Sequence, residues 1–80
     1  MASNQPPNIT AETAASVSEA IKESGTSLAE VSRRTLIPYV SLHRKAHGVT
    51  DLTVRDLASI SIAIDRPFID LLPRRLAKGK

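Results

Sequence analysis

The stretch from Thr26 to Gly48, TSLAEVSRRTLIPYVSLHRKAHG, carries two helix starts and two helix stops. Ser27-Leu28-Ala29-Glu30 reads as a capping box, in which the serine oxygen takes the Glu30 amide proton while the carboxylate reaches back. Thr35-Leu36-Ile37 interrupts the pattern. Pro38 lacks an amide donor and disfavours a helical Ile37, so it fits the first turn of a new helix, which runs to His47 and stops at Gly48. The spacing predicts helices over about 28–34 and 38–47 joined by a tight turn, a unit that cannot bury its apolar stripes alone.

The rest of the chain supplies what covers them. Residues 1–8 are polar, contain Pro6-Pro7 and show no periodicity, so they are expected to be a disordered leader. Thr10 is the expected N-cap of a first helix over about 11–24, with Ala14, Val17 and Ile21 on one face and Gly25 as its stop. After the loop Val49-Thr50-Asp51, Thr53 with Asp56 and a Leu52–Leu57 staple open a helix that runs to Ile64. Phe68 to Leu72 adds one or two turns before Pro73, and 74–80 is a basic tail. No segment alternates like a strand. The expectation is one all-α domain over 9–73.

Charge is unevenly distributed. Up to Ser32 there are four acids and one base; from Arg33 onward there are ten bases and four acids, and the pI is near 9.8. A basic second half points to an anionic partner, nucleic acid before membrane, because no strongly apolar helix face backs the cations. A solvated basic surface is the plain alternative. There is no cysteine, hence no disulfide, thiolate metal site or cysteine nucleophile, which fits a reducing compartment. Without a secretory pattern or a long apolar run, the protein is expected in the cytoplasm.

Catalytic patterns are missing from the sequence. There is no Gly-flanked serine and no Gly-rich phosphate loop. His43 and His47 have the spacing of two helical metal ligands, but Arg44 stands where a helical zinc protease carries its glutamate and would repel a dication. The pair reads better as solvated or phosphate-facing. No cofactor and no enzymatic activity are expected.

The Thr26–Gly48 segment resembles, without gaps, the helix-turn-helix of the Cro/cI-like (XRE) repressors. Ser27 falls at the cap, Glu30 at the family's acidic position, Val31 at the first core position, Ile37 after the turn, Leu42 in the recognition helix and Gly48 at its end. Continuing in register, Val54, Leu57, Ile60, Ala63, Ile64, Phe68, Leu71 and Leu72 fall on positions the family keeps apolar or small, so the likeness runs from Val17 to Leu72. Five residues depart from the pattern. Leu28 replaces a phosphate-touching Gln, Ser32 a small Ala, Leu36 the turn Gly, Pro38 the Ser/Thr cap, and Lys45 an apolar residue.

The resemblance implies a five-helix, lambda-repressor-like bundle that binds operator DNA as a repressor, closest in size to a phage Cro and working in a host cytoplasm. With Leu42 facing the core, Val40 and Arg44 point outward, while Lys45 lies about 60° from Leu42 and must lay its stem on the core edge. The residues expected at base edges are Tyr39, Val40, Ser41 and Arg44; those expected at phosphates are Ser27, Leu28, Arg33, Arg34, His43, Lys45, His47 and Thr50. Ile62, turned about 140° from the inward stripe of its helix, is expected to form a homodimer patch with Phe68, Ile69 and Leu72. Two other readings use the same residues: an antitoxin or adaptor whose partner is protein, and a membrane-surface module built on 68–80.

Overall fold

The computed structural model describes residues 8–73 and Leu76. The expected leader up to residue 7 and, apart from Leu76, the basic tail lie outside the described residues. The described residues are helical with no strand: α1 is Ile9–Glu23, α2 Leu28–Thr35, α3 Tyr39–Ala46 and α4 Val54–Ile64. The fifth helix of the expected bundle is a single 3₁₀ turn, Phe68–Leu71, held between Pro67 and Pro73. Among the described residues, four α-helices and this one turn make up the named elements, and a count of five α-helices is not reached.

Three helix starts follow from side-chain oxygens. Asn8, not Thr10, caps α1 by accepting from the Ala11 amide at 3.0 Å. The Thr10 hydroxyl instead donates to Asp51 in the loop after α3. Ser27 accepts from the Glu30 amide at 3.1 Å as expected, but the other half of that box does not form. The Glu30 carboxylate turns to Arg33 and Arg34, one turn along the helix, where charge-assisted bonds are available. At α4 the box is complete: Thr53 accepts from the Asp56 amide and Asp56 accepts from the Thr53 amide, each at 3.0 Å.

The core is a single aliphatic cluster. Val17, Ala20 and Ile21 from α1, Val31 from α2, Leu42 from α3, Leu57, Ile60 and Ile64 from α4, and Leu71 from the 3₁₀ turn are all buried, with Leu28, Ile37, Leu52 and Leu72 packed against them. Two of the positions that the resemblance keeps apolar or small lie at the surface. Val54, the first residue of α4, is 72% exposed beside its cap, and Phe68 is 38% exposed at the start of the 3₁₀ turn.

The turn between α2 and α3 is built around Leu36 and Ser32. Leu36 adopts the left-handed conformation, φ 67°, with its side chain 86% exposed. That conformation is strained for leucine. The turn is held by polar bonds: Ser32 Oγ donates to the Ile37 carbonyl at 2.6 Å, and Thr35 Oγ1 accepts from the Ile37 amide at 3.2 Å. Pro38 sits at the N-cap of α3, one position earlier than expected, and supplies no side-chain cap. At the other end of α3, Gly48 has φ +77°, and a β-carbon there would lie 3.5 Å from the Ala11 backbone. Only glycine meets that conformation at no steric cost where α3 closes on α1.

Candidate nucleic-acid interface

Helix α3 has one face in the core and one in solvent. Leu42 is fully buried and Ala46 nearly so, and the helix packs on α1 and α2. Ser18 of α1 donates to the Ala46 carbonyl at 2.9 Å, which ties down the C-terminal end. With that roll, Val40 is 61% exposed and Arg44, one turn on, is also exposed. Tyr39 is 48% exposed and Ser41 is half-buried. The expected base-reading residues therefore share the exposed side of α3, with Ser41 at its margin.

Beside Val40 and Arg44 runs an aromatic ladder that residue spacing alone did not announce. The Tyr39 and His43 ring centres are 6.0 Å apart, and His43 and His47 stack at 4.1 Å with their planes 23° apart. Nδ1 of His47 lies 2.8 Å from the His43 carbonyl, which can only accept, so Nδ1 is the donor and Nε2 faces away. Both histidines are exposed. Stacking, rather than two lone pairs aimed at one point, is what the pair presents. Among the described residues no group of three or more His, Cys, Asp or Glu is placed to hold a metal ion.

Of the expected phosphate contacts, the Lys45 side chain is turned into the protein, while Arg34 stays exposed although bonded within the fold. The Leu28 side chain packs against the core. Arg34 spans α2 and α4, bonding to Glu30 at 2.9 Å and to the Ala63 carbonyl at 2.7 Å, where it satisfies the carboxyl end of α4. Lys45 lies mostly covered, with Nζ 2.6 Å from Asp56 Oδ2 at the start of α4. Burial pushes the Asp56 carboxyl up, but the hydrogen bonds from Lys45 and from the Thr53 backbone outweigh it and hold the group below its usual range. Ser27, Arg33, His43, His47 and Thr50 remain exposed, although Arg33 also pairs with Glu30.

Residues of the expected dimer patch border two different grooves. Ile62 is 80% exposed and borders a shallow groove with Arg34, Thr35, Ser59 and Ala63. Ile69 and Leu72 border a different groove, against Ala20, Glu19, Glu23 and Arg66, and Leu72 is partly spent on the core. Among the described residues no helix is long and apolar enough to cross a membrane.

Comparison of the chain with protein-family models, with curated proteins and with solved structures finds no match.

Proposed function

We propose that the protein is a double-stranded DNA-binding transcriptional regulator that lays α3 in the major groove, with α2 and α3 as a helix-turn-helix. One observation carries this reading: Val40 and Arg44 stand one turn apart on the solvent face of α3 while Leu42 and Ala46 anchor its opposite face. With its side chains an α-helix is about 10–12 Å across, which fits a groove about 12 Å wide. Arg44 offers two parallel donors to the O6 and N7 acceptors of guanine, and the Val40 methyls suit a neighbouring thymine methyl. Tyr39 and Ser41 flank them. Arg33, Arg34, His43, His47, Ser27 and Thr50, with the amides at the start of α2, form the phosphate-side rim, and Lys45 is left out of the set that the sequence suggested.

A single small domain reads few base pairs, so the regulator is proposed to act as a homodimer on a near-palindromic operator, with Ile62 as its apolar contact. Repression by occlusion of a promoter is the regulatory outcome that the helix-turn-helix resemblance suggests. A second reading, a helical module with a protein partner, draws on Leu36 and Ile62, two aliphatic side chains exposed at 86% and 80%.

Selection of bound duplexes from a random-sequence pool, followed by titration of the enriched duplex over a salt series, tests the function. A dimer touching 6–10 phosphates should lose about 10³–10⁵ in affinity between 50 and 200 mM salt. No enrichment together with a flat salt response would transfer the case to the protein-partner reading.

A further inference from the structure

We infer that the Lys45–Asp56 pair is a positioning device that sets the roll of α3, and through it the direction in which Arg44 and Val40 face; Lys45 itself is not a DNA ligand. The inference rests on the DNA-binding reading for its consequence, and on the protein's own geometry for its cause.

Helix α3 packs on α1 and α2, shares the core cluster with α4, and is tied to the start of α4 by Lys45. Leu42 and Ala46, the buried side chains of α3, lie one turn apart on a single line, so contacts off that line are what resist roll about it. Lys45 lies off the line, its side chain only 21% exposed and its ammonium on Asp56 Oδ2. Asp56 is a rigid anchor because the same oxygen accepts the Thr53 amide and the Thr53 hydroxyl accepts the Asp56 amide. The start of α4 also places the positive end of the helix dipole at that carboxylate.

The lever is short and stiff. With side chains, a helix has a radius of about 5–6 Å, so a roll of about 10° moves a group at its surface by about 1 Å. A bidentate arginine–guanine contact works within a narrower distance window than that. The neighbouring Arg44, about 100° around the helix from Lys45, has its bearing set by where Lys45 is held.

Two variants and two measurements test this. Lys45→Met keeps the apolar stem and removes the charge; Asp56→Asn keeps an acceptor for the Thr53 amide and weakens the pair. Residual dipolar couplings of the backbone amides in the free protein read the orientation of α3 against α1 and α4. Both variants should leave α1 and α4 fitting the wild-type frame while α3 departs from it, and the double variant should add nothing to the larger single effect. Unchanged α3 couplings in both folded variants would overturn the inference, whether or not the protein binds DNA.

On the selected duplex, Lys45→Met should keep the wild-type slope of log affinity against log salt. It should also lose at least about threefold of the roughly 5- to 150-fold base discrimination that a bidentate contact supplies. A slope shallower by about 0.9 per copy, with discrimination intact, would make Lys45 a phosphate ligand and reject the positioning role. Wild-type protein without salt-dependent duplex binding would sink the DNA reading alone, because the couplings still decide what the pair does to α3.

Discussion

The Ser32 hydroxyl donates to the Ile37 carbonyl at 2.6 Å, across the turn that carries the chain from α2 into α3. The bond joins the last full turn of α2 to the residue that delivers Pro38. Replacing Ser32 by alanine leaves the carbonyl without this donor and should cost about 1 kcal/mol. Urea unfolding of Ser32→Ala measures it. An unchanged midpoint would mean that water replaces the hydroxyl at no loss.

The neighbouring Leu36 should respond in the opposite direction. A left-handed residue with a side chain costs about 1–2 kcal/mol, and glycine gives back about 0.5–1 kcal/mol in unfolded-state entropy. With the side chain 86% exposed, little burial is lost on truncation. Leu36→Gly should therefore stabilise the fold by about 0.5–1 kcal/mol. A lower unfolding midpoint would show that Leu36 makes contacts that outweigh its backbone strain.

These two residues show what a sequence of this kind makes legible. The helix punctuation at Ser27, Pro38, Gly48 and Thr53 is local chemistry, and it placed α2, α3 and α4 to within a residue or two. The apolar stripe was equally readable, so Val31, Leu42, Leu57, Ile60 and Ile64 are buried and Val40 and Arg44 are outside. Partners across the fold were not. Lys45 and Asp56 are eleven residues apart, and Arg34 and the Ala63 carbonyl are twenty-nine apart. Whether a surface cation meets a phosphate or an internal carboxylate depends on interhelical geometry that periodicity does not encode. The Asn8 cap was missed for a simpler reason: Asn and Thr are both good caps, and the Thr10 hydroxyl is used elsewhere.

Asp56 gives the fold an acid-sensitive component. Its folded carboxyl lies below the ordinary value of 3.8, so the folded state favours the ionised form. Its contribution is complete above that ordinary value and is lost as pH falls through the lower folded value. Asp56→Ala should cost about 1–3 kcal/mol at neutral pH, since it removes a cap and a charge-assisted bond together. The difference between the two proteins should shrink as pH falls below 3.8. Denaturation midpoints over a pH series check this; a constant gap down to strong acid would contradict it.

Ile62 bears on assembly. An aspartate at an 80% exposed site should leave the monomer fold almost intact. If Ile62 is the dimer contact, Ile62→Asp should abolish the cooperativity of duplex binding and shift sedimentation to the monomer. Intact cooperativity would move the interface elsewhere, with the groove at Ile69 and Leu72 as the next surface to alter.

Sequence reading by α3 is decided at Arg44. Wild type and Arg44→Ala are titrated against four duplexes that carry each base in turn at the guanine facing Arg44 in the selected site, at one fixed salt concentration. The wild type should prefer guanine by about 1–3 kcal/mol per half-site. Arg44→Ala should lose that preference while keeping most of its non-specific binding, and Arg44→Lys should recover part of it, because an ammonium lacks the planar fork. If wild type and Arg44→Ala rank the four bases identically, Arg44 reads no base and α3 does not dock in the groove as proposed.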